Sequence, residues 1–392
     1  MEMKKHKLGD IGEVRMCKRI LKEETNTVSG IPFFKIGTFG DVADVFISRK
    51  KFEEYKAKYS YPKKGDVLIS AAGTIGRTVV FNGEEAYFQD SNIVWIENDE
   101  TKVVNALLYY AYKNVKWKVS NGSTILRLYN DDLRRTEIIV PADISVQKKI
   151  ASVLSTLDKR IENLRAQNRV LEQTAKTIYD YTFLQCAGRK TVYNKILKRN
   201  IPEGWEVDNL YRIADFTNGL ACQKFRPTSE KEKLPVIKIR EMHEGITADT
   251  EFVKSNIPEK VIVNPGELLF SWSASLEVMI WNGAKGGLNQ HIFKVTPKEY
   301  FSLYYVYFQL KDYILNFKRM ADARKTTMGH ITTDHLNQSR IAIPDEESMK
   351  EFSMHVTPLF KKQLVNSQQI ETLTTQRNTL LPLLMNGHVA VD

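Results

Sequence analysis

A heptad pattern of apolar residues runs through residues 145–187, a stretch without Pro or Gly. Positions seven residues apart form two rows, offset by four, which lie along one face of a helix. The rows contain Ile150, Leu154, Leu157, Ile161, Leu164, Asn168, Leu171, Ala175 and Ile178. A helix of this length spans roughly 60 Å, which favours a spacer over a core helix. Asn168 is the polar member, and Asn at such a position commonly fixes register. The alternative is a long amphipathic helix that lies on a large domain.

A weaker copy of this seam follows at an offset of 202 residues, from Ile150 to Phe352. Its positions are Phe352, Val356, Leu359, Gln363, Asn366, Ile370, Leu373, Arg377, Leu380 and Leu384. Pro358 lies within the copy and predicts a kink or a split of the helix near Thr357. Both seams follow a strand-like run that ends in Pro, at Pro141 and at Pro344.

The globular segments repeat as well. Residues 32–36 resemble residues 235–239, and residues 65–70 resemble residues 266–271. Gln89-Asp90 matches Gln290-His291 in the same order. This agreement predicts two copies of one unit, each a globular domain followed by a long helix.

Apolar runs bounded by turn residues predict strands in both copies. The predicted strands are residues 66–70, 77–81, 92–96, 267–271, 278–281 and 291–295, and the predicted short helices are residues 104–115 and 302–315. Asn82-Gly83, between two apolar runs, is a hairpin signal.

The predicted fold class is α+β, with two repeated, mixed, strand-rich domains separated by two long helices. If the seams pair, the second helix runs back along the first, which gives an antiparallel coiled coil with a pseudo-two-fold axis. The predicted boundaries are 1–143 for the first domain, 144–187 for its helix, 188–200 for a linker, 201–344 for the second domain, 345–386 for its helix and 387–392 for a tail.

Composition adds a preference for polyanionic partners. The formal net charge is +10 and the pI is about 9.2, although a protein that is merely basic remains the alternative. The linker 188–200 carries five Lys or Arg residues and no acidic residue, so it is either a phosphate contact or a solvated connection. The three cysteines are far apart and predict neither a zinc site nor a disulfide frame. With no apolar run of 18 residues and no signal core, the predicted location is cytoplasmic, without a membrane.

Two similar but non-identical domains joined by antiparallel helices suit duplex DNA, which offers half-sites separated by whole helical turns. Each domain would read a few base pairs, and the helices would set the gap between them.

Motifs for chemistry within the chain are weak. No Asn-Pro-Pro-aromatic sequence occurs, and residues 72–78 lack the spacing and the Lys of a P-loop. Acidic residues after Pro344 are explained as a helix cap and first turn, and the pair His330 and His335 gives only a minor indication of metal. The sequence therefore predicts no catalytic residue, no metal and no cofactor in this chain.

Candidate DNA contacts are polar, basic or aromatic residues near predicted turns, because base edges and phosphates are reached by such side chains. In the first domain they are Lys35, Ser70, Thr74, Arg77, Gln89, Asp90, Lys116, Lys118, Arg127 and Tyr129. In the second they are Lys238, Arg240, Trp272, Ser273, Gln290, His291, Arg324, Lys325 and His330. Each of them also has an ordinary surface or turn role as an alternative. Trp117, between two lysines, is either a phosphate-side aromatic or domain core.

The chain resembles the specificity subunit of a type I restriction–modification system over nearly its whole length. The residues that carry the resemblance are Leu8-Gly-Asp-Ile-Gly12, Ile201-Pro-Glu-Gly-Trp205, Gly65-Asp-Val-Leu-Ile-Ser70, Gly73-Thr-Ile-Gly76, Gly122-Ser-Thr124 upstream of Leu133, and the junctions at Pro141 and Pro344. The second copy departs from the pattern, with Trp272-Ser-Ala-Ser275 in place of the Gly-rich turn.

The resemblance implies two target-recognition domains that read a split, asymmetric DNA sequence, and no activity of the chain itself. It implies two methyltransferase (M) subunits that use S-adenosylmethionine, and restriction (R) subunits that use ATP and Mg. Outer apolar residues of the first helix, such as Val153 and Val170, are candidates for docking these partners.

Two other readings stay open from the sequence. One is a coiled-coil interaction scaffold that carries two sugar- or peptide-binding modules. The other is a free-standing DNA-acting enzyme with an unusual site.

Overall fold

The computed structural model describes residues 2–117, 127–229, 232–273, 275–323, 331 and 333–389. Two compact units divide the chain. The first comprises Met1–Arg160 with Leu373–Asp392, and the second comprises Ile161–Thr372. Within the described ranges, no helix is both long and apolar enough to cross a membrane.

The first unit is rich in short strands. They are β1 (Met3–Lys7), β2 (Gly12–Met16), β3 (Thr25–Asn26), β4 (Ile31–Phe34), β5 (Val45–Ile47), β6 (Val67–Ser70), β7 (Thr78–Val80), β8 (Tyr87–Phe88), β9 (Ile93–Asn98) and β10 (Glu137–Pro141). The helices are α1 (Leu8–Ile11), α2 (Arg49–Lys58), α3 (Asn105–Asn114), α4 (Asn130–Arg135) and the start of α5 (Ile144–Tyr179).

Two four-stranded sheets form the body of this unit. One is antiparallel, in the order β2-β9-β6-β7, and the other has the order β3-β5-β4-β8 with β4 and β8 parallel. Successive residues of β6 point to opposite faces, so Leu68 joins the core between the sheets while Val67 and Ile69 join the core that includes α3. Burial on both faces explains why β6 is a continuous apolar run.

The second unit repeats this plan. Its strands are β11 (Thr191–Asn194), β12 (Arg199–Pro202), β13 (Glu206–Asp208), β14 (Ala214–Asn218), β15 (Lys233–Ile237), β16 (Phe252–Lys254), β17 (Ile262–Val263), β18 (Leu268–Ser271), β19 (Glu277–Ile280), β20 (Gly286–Leu288), β21 (Ile292–Pro297) and β22 (Ile341–Ile343). Its helices are the remainder of α5, α6 (Ile239–Glu244), α7 (Leu303–Ala323), α8 (Thr333–Gln338) and most of α9 (Glu346–Met385).

Strand order establishes the duplication. The antiparallel sheet β14-β21-β18-β19 corresponds to β2-β9-β6-β7, and the run β16-β15-β20 corresponds to β5-β4-β8, including its parallel pair. The predicted class, two repeated strand-rich domains with two long helices, is therefore confirmed. The predicted helix 302–315 was too short, because α7 continues to Ala323.

The hairpin prediction at Asn82-Gly83 is wrong. β7, which precedes it, pairs with β6, whereas β8, which follows it, pairs with β4 in the other sheet. The turn is real, since the Asn82 side chain accepts a hydrogen bond from the Glu84 amide at 2.9 Å. It carries the chain from one sheet to the other because the parallel partner of β8 lies there.

Of the kink or split predicted at Pro358, the split is wrong, since α9 runs through Pro358 from Glu346 to Met385. The kink stays a prediction. Pro358 is exposed, whereas Val356 before it and Phe360 after it are buried in the same core of the second unit. Packing on both sides of the proline offsets the lost hydrogen bond, which costs about 3 kcal/mol in a helix interior.

The two long helices run in opposite directions within the second unit. The Asn366 amide donates to the Asn168 side-chain oxygen at 2.9 Å, and the rings of Phe183 and Phe352 lie 5.0 Å apart. Residue numbers thus rise along one helix and fall along the other. Asn366 is fully buried, so the polar seam position predicted at Asn168 faces a second asparagine.

Within the first unit, the same two helices meet again. Arg377 donates to the Asp158 carboxylate at 2.8 Å, and Ile150, Leu154 and Leu384 belong to one core. The remaining seam residues are buried or half-buried: Leu157, Ile161, Leu164, Leu171, Ile178, Leu359, Ile370, Leu373 and Leu380.

Candidate nucleic-acid interface

A closed loop follows β6 in the first unit and is organised by Ser70. The Ser70 hydroxyl donates to the Thr74 carbonyl at 2.5 Å and accepts from the Arg77 amide at 2.9 Å. Gly76, inside the loop, has φ of +83°, and a Cβ there would lie 2.3 Å from the indole nitrogen of Trp117. Only glycine fits this position, and Trp117, which is half-buried against the domain core, supports the loop.

Hydrogen bonds join this loop to neighbouring segments. The Ala71 amide donates to the Asn92 carbonyl at 2.8 Å, and the Leu128 amide donates to the Ala71 carbonyl at 2.8 Å. The loop 71–76 therefore lies between the β8–β9 connection and the segment around Arg127.

The carboxyl ends of β4 and β8 lie side by side, because these strands are parallel neighbours and the carboxyl ends of parallel strands meet at one edge of a sheet. Lys35 follows β4 and Gln89 follows β8. The Gln89 side-chain oxygen accepts from the Ile36 amide at 2.9 Å, which holds the two strand ends together.

A groove of about 630 Å³ opens at this edge and is lined by Lys35, Gln89, Asp90 and Arg127 among others. Arg127 donates to the Ser91 carbonyl at 2.8 Å, and the Lys35 ammonium lies 3.2 Å from the Asp44 carboxylate. Four of the residues predicted from the sequence are thus brought together.

Basic residues that the sequence reasoning missed also line this groove, namely Arg19 and Lys22. They precede β3 in a segment without repeat or motif, so no sequence signal marked them.

The other predicted residues of the first domain fall in three places. Thr74 and Arg77 are exposed on the loop after β6. Lys116 lines a separate depression with Arg135. Tyr129 is exposed as the residue before α4. Lys118 lies outside the described residues, as do 122–124 of the family resemblance.

The second unit builds the corresponding loop around Ser271. The Ser271 hydroxyl donates to the Ser275 carbonyl at 2.5 Å and accepts from the Glu277 amide at 2.9 Å. The Trp272 amide donates to the His291 carbonyl at 3.2 Å, and the Ile331 amide donates to the Trp272 carbonyl at 3.0 Å. We call these four hydrogen bonds, and their four counterparts around Ser70, the loop frame.

Side chains around the second frame form an aromatic cluster. The Trp272 indole donates to the Asn218 side chain at 3.1 Å, and its ring lies 5.5 Å from that of His291. The Gln290 amide nitrogen lies 3.3 Å from the His291 ring nitrogen. Ser273, the residue after Trp272, is buried. Asn218, at the end of β14, was not predicted.

Lys238 and Arg240 lie after β15 and are engaged by acidic groups. Lys238 pairs with Glu251 at 2.5 Å, and this ammonium lowers the pKa of the Glu251 carboxyl. Arg240 pairs with the buried Glu241 at 2.8 Å. Arg324, Lys325 and His330 lie outside the described residues.

The hydrogen-bond register corrects one predicted correspondence. The Gln89 amide donates to the Phe34 carbonyl at 2.9 Å, and its counterpart is the Asn289 amide, which donates to the Ile237 carbonyl at 3.0 Å. Gln89 therefore matches Asn289 rather than Gln290. The connection into β21 is one residue shorter than the connection into β9, which a constant sequence offset conceals.

The basic linker 188–200 contains a hairpin. β11 pairs with β12, and at its turn Lys195 and Lys198 are exposed. Tyr193 and Ile196 are 64% and 61% exposed. The linker is therefore a folded hairpin, and contact of its lysines with a phosphate backbone stays a prediction.

The cysteines are poor nucleophiles. Burial raises the pKa of the Cys17 thiol to about 12 and also raises the pKa of Cys222 and Cys186. A thiolate is the reactive form, so these residues act as small core side chains.

Two strand-rich units, each with its own framed loop beside a strand-end edge, define a duplicated two-domain protein. The sequence model described as "Type I restriction modification DNA specificity domain" matches residues 1–173 and 202–375. The chain belongs to this family, which confirms the resemblance inferred from its sequence.

Individual relatives agree with this assignment. The type I restriction enzyme MjaIX specificity subunit of Methanocaldococcus jannaschii is 27% identical over 357 residues, covering 84% of this chain and 78% of that protein. A putative type I restriction enzyme specificity subunit of Haemophilus influenzae is 53% identical over 174 residues. That match covers 44% of this chain and 45% of the relative, so it spans less than half the length of the relative.

A crystal structure of the type I restriction–modification S subunit from M. genitalium has a TM-score of 0.60 to this chain at 14% identity. It covers 98% of this chain and 96% of that one. At this identity the similarity supports the fold alone.

Proposed function

We propose that this chain is a DNA-reading subunit that recognises a bipartite, asymmetric site, one half per domain. The observation that carries the proposal is the double match to a DNA specificity domain, on two units whose loop frames agree and whose loop side chains differ. Equal frames give both domains the same way of approaching DNA. Different side chains give each domain its own bases.

In this proposal the first domain reads its half-site with the groove that contains Gln89 and Arg127. Arg and Gln make bidentate contacts to guanine and adenine, each worth about 1–3 kcal/mol of discrimination. The second domain reads its half-site with Trp272, Gln290 and His291, a set that favours stacking and single hydrogen bonds.

The two long helices set the number of base pairs between the half-sites. α5 and α9 each contain residues of both units, so their length is the natural determinant of the spacer. Insertion of one heptad into both helices is expected to change the spacer of the recognised site, and an unchanged spacer contradicts this part of the proposal.

The chain acts without catalysis and directs partner subunits to the site. Two methyltransferase subunits supply S-adenosylmethionine-dependent adenine methylation, and restriction subunits supply ATP- and Mg-dependent cleavage, in the cytoplasm. Exposed apolar residues on the helices offer docking points. Val170 is 62% exposed, whereas Val153 is half-buried, which favours Val170.

Electrophoretic mobility on random duplex DNA, with and without a co-expressed methyltransferase partner, tests the proposal. We expect sequence-selective retardation that strengthens with the partner. An interaction scaffold with non-DNA ligands would show no retardation in either case, and methyl transfer by the isolated chain would indicate a free-standing enzyme.

A further inference from the structure

We propose that Ser70 and Ser271 are positioning residues, each of which holds one loop of its domain, and that these loops contribute to half-site specificity beside the residues named above. The loop residues are 71–76 in the first domain and Trp272, Ser273, Ser275 and Leu276 in the second. This inference rests on the proposed function of DNA reading. It adds one loop in each domain to the residues that discriminate bases, and it gives that loop a fixed anchor.

The serine hydroxyls are internal to the fold. Ser70 is 1% exposed and Ser271 is 0% exposed, so neither hydroxyl reaches a DNA base. Each hydroxyl instead donates one hydrogen bond and accepts another within its own loop. The role predicted for Ser70 from the sequence, a contact to DNA, is therefore replaced by support of the loop that makes the contact.

The same anchor closes two unlike loops. Between the serine and the residue whose amide it accepts, the first loop reads Ala-Ala-Gly-Thr-Ile-Gly and the second reads Trp-Ser-Ala-Ser-Leu, one residue shorter. Every bond of the frame other than those of the hydroxyl uses backbone groups alone. Backbone bonds do not depend on side-chain identity, so loop residues can change while the frame persists.

Charge at the closing residue is reversed between the domains. Arg77 closes the first loop, and Glu277 closes the second. Arg77 lies beside Gly40, where a Cβ would be 3.4 Å from its guanidinium, whereas Glu277 pairs with His243 at 2.9 Å. A duplicated frame with opposite charges is expected where the two copies read different sequences.

Loss of either hydroxyl removes one hydrogen bond from a loop carbonyl and one from the amide that closes the loop, which loosens the loop. In the first loop the Arg77 amide keeps a longer bond of 3.4 Å to the Thr74 carbonyl, and backbone bonds still join Ser70 to Gly76 and Arg77. For Ser70→Ala we expect discrimination at the half-site of the first domain to fall about tenfold to hundredfold. Discrimination at the other half-site, and affinity for random DNA, are expected to stay unchanged. Ser271→Ala is expected to give the mirror-image result.

The experiment uses the full chain with its methyltransferase partner and a site selected from a random duplex library with the wild-type complex. Equilibrium binding is then measured for that site and for duplexes substituted in one half at a time. Ser70→Thr and Ser271→Thr, which keep the hydroxyl, are expected to retain discrimination.

Ser339 provides a matched control. It is a fully buried serine that donates to the Leu336 carbonyl at 2.5 Å and accepts from the Leu210 amide at 2.9 Å. Ser339→Ala removes the same two kinds of hydrogen bond, but their partners belong to neither loop. The base discrimination of this variant is therefore expected to match that of the wild type.

Unchanged discrimination in Ser70→Ala and Ser271→Ala overturns the inference, and so does an equal loss at both half-sites in either variant. Should the alanine variants fail to fold, Thr74→Ala with Arg77→Ala tests the loop while keeping Ser70. If that variant keeps the wild-type base preference at the first half-site, the inference is also overturned. If the wild-type complex selects no DNA site, the proposed function fails instead, so the two failures are distinguishable.

Discussion

The two framed loops are alike in their frame hydrogen bonds and unlike in sequence. Around Ser70 the loop is Gly-rich, ends in Arg77 and adjoins a groove that carries Lys35 and Arg127. Around Ser271 the loop begins with an indole and ends in a carboxylate held by His243. Backbone and serine bonds thus keep the architecture of the two loops while their side chains differ.

The largest expected effect is the loss of Arg127. Arg127→Ala removes a guanidinium from the first groove, and we expect discrimination at the first half-site alone to fall by about 1–3 kcal/mol. Competition binding with half-site variants measures it. Arg134→Ala, which removes an exposed arginine of α4 that pairs with Asp131, is expected to have no effect. A loss in both halves would indicate a folding defect.

The basic hairpin has no counterpart in the described part of the first unit, and it sharpens the comparison in a different way. Lys195→Ala with Lys198→Ala is expected to weaken binding to all sequences equally and to reduce the slope of log affinity against log salt by up to about 1.8, or roughly 0.9 per phosphate contact. Lys361→Ala with Lys362→Ala, two exposed lysines of α9, is the control. A changed base preference would argue against a phosphate contact.

The opposite charges of Arg77 and Glu277 predict that neutralising them changes DNA affinity in opposite directions. Arg77→Gln is expected to weaken DNA binding by about 1 kcal/mol, and Glu277→Gln is expected to strengthen it slightly, because one change removes a cation and the other an anion near phosphates. Titration at two salt concentrations measures both. Effects of the same sign would break the proposed equivalence of the loops.

The smallest effect concerns stability of the second unit. Burial raises the pKa of Glu172, but hydrogen bonds from Lys311 and Tyr307 outweigh it, so the pKa is lowered below 4.5. A lowered pKa stabilises the folded state above pH 4.5 and loses that contribution as pH falls through the folded value. Glu172→Gln is expected to cost about 1 kcal/mol at pH 7, and the difference should shrink in acid.

Glu162→Gln is the control for this measurement, since Glu162 is an exposed residue of the same helix that pairs with Arg165. Denaturant unfolding at pH 7 and below pH 4 gives the comparison. A Glu172→Gln cost that does not change with pH would contradict the assigned hydrogen bonds.

Much of the fold was predictable because hydrophobic period and repeat order depend on local sequence. The heptad rows of α5 and the apolar run of β6 are examples. Pro358 misled the prediction because core packing of Val356 and Phe360 overrides a local penalty. The hairpin prediction at Asn82-Gly83 was wrong because a turn signal does not show which strands pair with each other.

The candidate site was predictable only in part. Lys35, Gln89, Asp90 and Arg127 were selected and do share a groove. The structural equivalence of Gln89 and Asn289 was missed, because a one-residue difference in loop length shifts the alignment of the two repeats. The serine frame was also missed, since two identical serines in a repeat do not reveal which amides they bind.

Selection of bound sequences from a randomised duplex library, with the wild-type chain and its methyltransferase partner, tests the central claim most directly. The account predicts a split motif of two different short half-sites at a fixed separation. A single contiguous motif, or two identical half-sites, would contradict it.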